Sequence, residues 1–215
     1  MMAGLRVALI DDHPPILRGV VDAIASVLPL EDALTAHRVN EVLDAGGPYD
    51  VVVLDLQLGD GSLPADNVSA LVGRGWPTLL YTQETNAAVV GRCFRAGASG
   101  IVAKTEELSV LAEAVRIVAG GEPYLSGDWA GILDSQEQEI PNLAPREAEA
   151  LRLYATGLPM KSVARRMGIA PDTVKDYLMR VRRRYDQVGR PAATKTELYM
   201  RAVEDGFVEA PRPTR

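Results

Sequence analysis

The stretch that decides the fold is Arg6-Val7-Ala8-Leu9-Ile10-Asp11-Asp12, a short apolar run that ends in two carboxylates. Runs of this length that are rich in Val, Ile and Leu are typical of buried parallel strands. The next segment has a helical period, with apolar residues on one face at Ile16, Val20, Ala23, Ile24 and Val27. The chain is therefore expected to begin with a strand and a helix of an α/β sheet.

The same pattern recurs through the first half of the chain. Three further apolar runs lie at residues 51–54, 78–81 and 100–103, and each leads directly to a polar residue. Alternating strand and helix units over roughly 120 residues predict a doubly wound, parallel, five-stranded sheet. Ligands of such sheets collect at the carboxyl ends of the strands. We therefore expect one polar site formed by Asp11, Asp12, Asp55, Thr82 and Lys104.

The residue types at this site indicate phosphate chemistry. Three carboxylates at one edge of a sheet repel one another unless a cation lies between them. Ligands that are all oxygens favour Mg²⁺, which accepts one or two carboxylates together with a phosphate oxygen. Asp55 is then suited to act as a nucleophile, because a carboxylate can form an aspartyl phosphate.

With these residues in register, residues 5–120 resemble the receiver domain of two-component response regulators, which has a flavodoxin-like fold. The resemblance implies that Asp55 accepts a phosphoryl group from a cognate sensor histidine kinase. It also implies that Thr82 hydrogen-bonds this group and that Lys104 pairs with it. The implied ligands of Mg²⁺ are Asp11, Asp12, Asp55 and the main-chain carbonyl of Gln57.

Two residues depart from the pattern of receiver domains. Three residues before the lysine, where the family usually has Tyr or Phe, this chain has Ile101. In the family that ring swings inward when the threonine moves, so we expect a weaker link between phosphorylation and pairing of receivers. Gln83 replaces a small residue after Thr82, which either narrows the approach to the phosphoryl position or contributes an amide contact.

Charge divides the chain into two unlike parts. Residues 1–142 carry 8 Lys and Arg against 20 Asp and Glu, a net charge of −12. Residues 143–215 carry 15 against 9, a net charge of +6, which gives −6 for the whole chain of 215 residues. This length accommodates two domains, and only the basic one is suited to a polyanion such as DNA.

The basic part has the pattern of short helices, at residues 145–156, at 159–167 and from Pro171 onward. The third has an apolar stripe of Val174, Tyr177, Leu178, Val181 and Tyr185. Its opposite face holds Lys175, Asp176, Met179, Arg180, Arg182, Arg183 and Arg184. Two short helices, a turn with Gly168 and a basic face predict a helix-turn-helix, whose second helix enters the major groove.

The segments that begin at Leu143, Gly157, Ala164 and Asp172 resemble the LuxR-type helix-turn-helix of NarL and FixJ response regulators. The resemblance implies a homodimer on a promoter repeat of double-stranded DNA. It implies that the residues near base edges are Lys175, Asp176 and Met179. The implied contacts to DNA phosphates come from Lys161, Arg165 and Thr173. Arg180 and Arg183 complete the expected DNA-binding set.

Two further departures concern the ends of these helices. Ala144, Pro159 and Ala170 stand where the family usually has a capping Ser or Thr. The stretch 186–196 is longer than the usual turn, so we expect the last helix, near residues 197–205, to be displaced. That helix commonly pairs DNA-binding domains in the family.

The expected organisation is a receiver domain at residues 1–123, a linker at 124–142, and a small all-α DNA-binding domain with a C-terminal tail at 143–215. Within the linker, Trp129 argues against full disorder and is expected to dock on one of the domains. No long apolar stretch predicts a signal peptide or membrane span, so a cytoplasmic protein is expected. Cys93, the one cysteine, is expected to be a packed thiol.

Other interpretations remain open at this stage. The arginines at 182–184 can form an ordinary solvated helix face, and His13 is more often a loop residue than a general base. A regulator that keeps the pocket but is set by another ligand or partner is favoured by Ile101. An enzyme is not expected: an aspartate-nucleophile phosphohydrolase normally has a second carboxylate two residues after the first, and here that residue is Gln57.

Overall fold

The first half of the chain alternates strands with helices. The computed structural model describes residues 4–126, 129 and 140–208, which belong to two units, Met1–Leu133 and Asp134–Arg215. Most of the predicted linker, residues 127–128 and 130–139, lies outside the described residues, as does the predicted tail at 209–215.

The first unit is a parallel sheet with helices on both faces. Its elements are β1 Leu5–Ile10, α1 Pro14–Val27, β2 Leu30–Ala36, α2 Val39–Ala45, β3 Val51–Leu54, α3 Pro64–Val72, β4 Thr78–Thr82, α4 Ala87–Arg95, β5 Gly100–Ala103, α5 Leu108–Ala119 and β6 Tyr124–Leu125. The strand order is β2-β1-β3-β4-β5-β6, and every pair is parallel. The predicted flavodoxin-like, doubly wound fold is confirmed.

The sheet has one strand more than the sequence predicted. Tyr124 and Leu125, assigned to the start of the linker, pair with Gly100 and Ile101 as β6. Trp129 is buried in a core cluster of the same unit. Of the two domains on which it was expected to dock, it therefore packs on the first. A two-residue strand has no periodicity, which is why the apolar pattern did not reveal it.

Two apolar layers sandwich the sheet. Along β1, Ala8 and Ile10 enter one core cluster while Val7 and Leu9 enter the other. Because successive side chains of a strand point to opposite faces, both layers need apolar residues, and the strands read as continuous apolar runs. This packing fixes the ends of β1, β3, β4 and β5 relative to one another.

The buried face of α1 differs from the predicted one at its ends. Leu17, Val20 and Ile24 are buried, whereas Val27 is 64% exposed. The helix ends at Val27, and Leu28, in extended conformation, takes the next buried position. The prediction that Val27 lies on the buried face was wrong: it is the last residue of the helix and is exposed.

The described residues of the second unit form helices joined by short turns. They are α6 Pro145–Ala155, α7 Met160–Met167, α8 Pro171–Gln187 and α9 Lys195–Glu204. Leu151, Val181, Tyr185 and Leu198 share one core cluster, and Val163, Val174 and Leu178 belong to a second one. The first two helices begin and end within a residue of the predicted bounds, and α8 begins at Pro171 as predicted. None of the helices in the described ranges is long and apolar enough to cross a membrane.

The residues at the helix ends explain where these helices begin and stop. Ala144, Pro159 and Ala170 cap α6, α7 and α8 without a side-chain hydrogen bond, as predicted. Gly168 ends α7 with φ of 65°, a left-handed conformation that favours glycine. Thr194 caps α9 and exchanges hydrogen bonds with Glu197, so this helix begins two residues before the predicted start.

Candidate functional site

The carboxyl ends of four strands bring the predicted polar residues together. Asp11 follows β1, Asp55 follows β3, Thr82 ends β4 and Lys104 follows β5. The parallel registers Ile10 to Leu54 and Thr82 to Ala103 hold these ends level. The site therefore lies at the sheet edge that the topology predicted.

Lys104 is the cation of this site. Its Nζ atom lies 2.6 Å from Oδ2 of Asp11 and 2.6 Å from Oδ2 of Asp55, and all three side chains are buried. Burial, the largest influence, acts to lower the pKa of Lys104, but the hydrogen bonds to Asp11 and Asp55 outweigh it and the pKa is raised. Lys104 therefore remains charged, and it balances one of the two buried negative charges.

The acidic cluster has the chemistry of a magnesium site. Ligand atoms of Asp11, Asp12, His13 and Asp55 lie within 4.8 Å of one another. Within the described ranges, Oδ1 of Asp12 is buried and has no hydrogen-bond partner. Nδ1 of His13 lies 2.7 Å from this atom without hydrogen-bond geometry, and it forms an ion pair only when protonated. A buried carboxylate oxygen without a hydrogen bond, beside further carboxylates, fits a hard divalent cation.

The rim of the site includes one residue that the sequence did not reveal. Oγ1 of Thr82 accepts a hydrogen bond from the main-chain N–H of Glu84 at 3.0 Å, so its hydroxyl proton is available to a phosphoryl oxygen. The side chain of Gln57 donates to Oε2 of Glu84 at 3.5 Å. Glu84 lies two residues after Thr82, and this spacing was its only sequence signal. Gln83 is exposed.

Ile101 is fully buried, with 0% of its surface exposed. It belongs to the same core cluster as Leu80, Val90 and Cys93, on one face of the sheet. Burial raises the pKa of the Cys93 thiol to about 12, as expected for a packed cysteine. The position where the family usually has an aromatic ring is therefore filled by an aliphatic side chain within the core.

In the second unit, most of the predicted DNA-binding residues lie at the surface. Lys161 and Arg165 are exposed on α7, and Thr173 is half-buried near the start of α8. The exposed residues of α8 include Lys175, Asp176, Met179, Arg180 and Arg183. Helices α7 and α8, joined by a turn at Gly168, have the arrangement of a helix-turn-helix.

The arginine run in α8 does not form one exposed face. Nε of Arg182 donates to the carbonyl of Ala193 at 3.1 Å, and Nη1 of Arg184 donates to the carbonyl of Asn142 at 2.7 Å. Both side chains are half-buried, and only Arg183 of the three is exposed. The predicted basic face is corrected at these two residues, because consecutive residues of a helix point about 100° apart.

Glu147 in α6 is a further functional candidate that the sequence did not reveal. Its side chain is 5% exposed and contacts Nε of Arg180 at 3.2 Å and Nε of Arg184 at 3.0 Å. It also accepts a hydrogen bond from the N–H of Ala144 at 2.9 Å. A Glu three residues after a helix cap is a signal for this last bond, whereas the arginine contacts depend on tertiary packing.

Comparison with known proteins identifies the family. Residues 141–195 match the family described as bacterial regulatory proteins, luxR family. The DNA-binding transcriptional activator DevR/DosR of Mycobacterium tuberculosis is 32% identical over 190 residues, which cover 82% of this chain and 86% of the relative. The chain belongs to the NarL/FixJ family of response regulators.

Further relatives agree with this family. The nitrate/nitrite response regulator NarL of Escherichia coli is 29% identical over 187 residues, covering 80% of this chain and 85% of NarL. The crystal structure of ChrA, a response regulator of a heme-sensing two-component system, is similar with a TM-score of 0.53 and 27% identity. The similarity covers 96% of this chain and 100% of ChrA. The luxR match ends at residue 195, where α9 begins.

Proposed function

We propose that this response regulator binds double-stranded DNA as a homodimer and that phosphorylation of Asp55 by a sensor histidine kinase controls this binding. The observation that carries the proposal is the buried contact of Lys104 with both Asp11 and Asp55, on a chain that also carries a helix-turn-helix. DNA and the phosphodonor meet in the cytoplasm, where we therefore expect the protein to act.

The phosphorylation step is a transfer from nitrogen to oxygen. A carboxylate oxygen of Asp55 attacks the phosphorus of a phosphohistidine, so that a P–O bond forms while the P–N bond breaks and the leaving imidazole takes up a proton. Asp11, Asp12, Asp55 and the main-chain carbonyl of Gln57 would hold Mg²⁺, which supplies positive charge to the phosphoryl oxygens. Lys104 adds a second positive charge, and Thr82 donates its hydroxyl proton.

The new phosphoryl group changes the contacts of Lys104. In the unphosphorylated protein Nζ lies between two carboxylates. A phosphoryl group carries about 1.5 to 2 negative charges and attracts this ammonium group more strongly than a neutralised Asp55 does. Lys104 and Thr82 therefore move toward the phosphoryl group. Any change in dimerisation or DNA binding on phosphorylation starts from this local movement.

We assign the DNA-binding roles by position on the helix-turn-helix. Lys175, Asp176 and Met179 are exposed along one side of α8 and are suited to base edges in the major groove. Lys161, Arg165 and Thr173 are suited to phosphates, and Arg180 and Arg183 add positive charge beside them. The net charge of +6 for residues 143–215 supports this assignment.

A second candidate function is a regulator of the same class that does not depend on phosphorylation. Its support is Ile101, which is buried and cannot exchange between an inward and an outward position as a ring does. In that case the pocket is retained, and another ligand or partner sets the state of the protein.

The test of the phosphorylation site uses intact-protein mass spectrometry. With Mg²⁺ and a small phosphodonor, the wild type should gain one phosphate that is labile to base, and Asp55→Asn should gain none. Persistent labelling of Asp55→Asn, or no labelling of the wild type, would remove Asp55 from its role. Repeated turnover of small phosphate esters would instead favour a phosphohydrolase over a regulator that is labelled once.

A further inference from the structure

The buried carboxylate of Glu147 connects the first helix of the second unit, α6, to the helix proposed to read DNA, α8. Its Oε1 atom lies 3.2 Å from Nε of Arg180, and its Oε2 atom lies 3.0 Å from Nε of Arg184. Oε2 also accepts the hydrogen bond from the N–H of Ala144. A buried carboxylate requires such compensation, and here two guanidinium groups and one backbone N–H provide it.

The two arginines differ in what their outer nitrogens do. Nη1 of Arg184 donates to the carbonyl of Asn142, so both ends of this half-buried guanidinium have contacts within the second unit. The side chain of Arg180 is 52% exposed although its Nε faces the buried Glu147. More than half of this side chain is therefore accessible to a ligand while its Nε faces the carboxylate.

An aromatic ring restricts Arg180 further. The centre of its guanidinium lies 4.8 Å from the centroid of the Tyr177 ring, a distance typical of a cation–π contact. Arg180 is thus held at Nε by Glu147 and along its face by Tyr177. An arginine held in this way has lost rotamer freedom before any ligand binds, and its planar group is preorganised for a planar or tetrahedral anion.

Arg180 lies beside the residues proposed to meet DNA. It follows Met179 directly and lies one helical turn after Asp176, both of which are exposed on α8. Because Glu147 holds the Nε atom against α6, the side chain cannot extend freely toward base edges. A phosphate of the DNA backbone, which accepts two parallel N–H bonds from an arginine, is the group that fits the outer nitrogens.

We propose that Glu147 is a positioning residue for DNA binding, which fixes Arg180 so that its outer nitrogens bind a backbone phosphate. The inference rests on the proposed DNA-binding function. Arg184 shares the carboxylate and secures it, but its outer nitrogen is used within the unit. Arg180 therefore contributes to DNA affinity without reading sequence, unlike Lys175.

The test is a double-mutant cycle on DNA binding by the full-length protein. Glu147→Gln removes the charge but keeps an oxygen for the N–H of Ala144. Its matched control is Glu149→Gln on the same helix, where the carboxylate pairs with the exposed Arg146 at 2.8 Å. Affinity is measured over a range of salt concentrations for a duplex selected from random sequences and for random DNA, and thermal unfolding is followed in parallel.

We expect Glu147→Gln and Arg180→Ala each to weaken binding to both duplexes alike and to lower the salt dependence by about one unit, the amount for one lost phosphate contact. In the Arg180→Ala background, Glu147→Gln should have little further effect on affinity. Glu149→Gln should bind as the wild type does. These results together would show that Glu147 acts on DNA through Arg180.

Two results would overturn this inference without affecting the proposed function. One is an undiminished effect of Glu147→Gln on DNA affinity in the Arg180→Ala background. The other is a loss of stability in Glu147→Gln with an unchanged salt dependence of DNA binding. If Glu147→Gln does not fold, Arg180→Lys decides, because lysine keeps the charge but cannot bind Glu147 and a phosphate at once through a guanidinium. Wild-type affinity and salt dependence in Arg180→Lys would contradict the inference. A wild type that binds no DNA in either phosphorylation state would overturn the proposed function as well.

Discussion

The Nζ atom of Lys104 lies 2.6 Å from Oδ2 of Asp55, and both side chains are buried. The lysine thus contacts the very carboxylate that is proposed to receive the phosphoryl group. In this state its single positive charge is shared between Asp55 and Asp11. Under the proposed function, the same side chain stabilises the fold before phosphorylation and binds the phosphoryl group after it.

Replacement of this lysine should make the fold depend on metal. Lys104→Met keeps most of the length of the side chain but leaves Asp11 and Asp55 buried without their cation, which we expect to cost about 3–5 kcal/mol of unfolding free energy. Mg²⁺ should stabilise this variant more than the wild type, because a bound cation restores the lost charge. Chemical unfolding with and without Mg²⁺ measures both effects.

The difference in unfolding free energy between Lys104→Met and the wild type should also depend on pH. The pKa of Lys104 is raised in the folded protein, so its stabilising contribution is complete below the ordinary value of 10.5 and is lost as pH rises through the raised value. We therefore expect a constant difference in stability at neutral pH that shrinks in strong base. A difference that is already lost near pH 8 would contradict the ion pairs described for Lys104.

Cys93 should be inert in the folded protein. Its pKa is raised to about 12 by burial, so the thiolate fraction at pH 8 is about one part in ten thousand. Alkylation by iodoacetamide at pH 8 should be slow in buffer and rapid in guanidinium chloride. Fast alkylation of the native protein would show that the helix carrying Cys93 opens readily.

Ile101 should limit the effect of phosphorylation on dimerisation of the protein. A buried aliphatic side chain cannot exchange between core and surface as an aromatic ring does, so we expect the monomer–dimer equilibrium to shift by less than about 1.4 kcal/mol, or tenfold. Sedimentation of phosphorylated and unphosphorylated protein measures this shift. Ile101→Tyr should enlarge it where the core admits a ring. A wild-type shift far above tenfold would assign the coupling to another element.

Substitutions on α7 and α8 should distinguish residues that read the base sequence from residues that only contribute positive charge. Lys175→Ala should weaken binding to the selected duplex more than to random DNA, because base contacts specify and phosphate contacts position. Arg165→Ala should weaken both alike and lower the salt dependence by about one unit. Fluorescence anisotropy at several salt concentrations provides both values. Equal losses on the two duplexes for Lys175→Ala would remove it from the base-reading residues.

The sequence predicted those parts of the molecule that depend on local pattern. The continuous apolar run of β3 identified a strand covered on both faces, and parallel topology then brought Asp11, Asp55 and Lys104 to one edge. Contacts that depend on packing between distant helices were not predictable. Glu147 has an ordinary position at the start of α6, and only the fold brings Arg180 and Arg184 against it.

The measurement that tests the central claim most directly is DNA affinity as a function of the state of Asp55. A duplex selected from random sequences should hold two half-sites spaced by about 10 base pairs or a multiple, as the geometry of a dimeric helix-turn-helix requires. With Mg²⁺ and a phosphodonor, the wild type should bind this duplex more tightly than without the donor, and Asp55→Asn should bind equally in both conditions. Equal affinity of the labelled and unlabelled wild type would contradict control by phosphorylation and favour the phosphorylation-independent regulator.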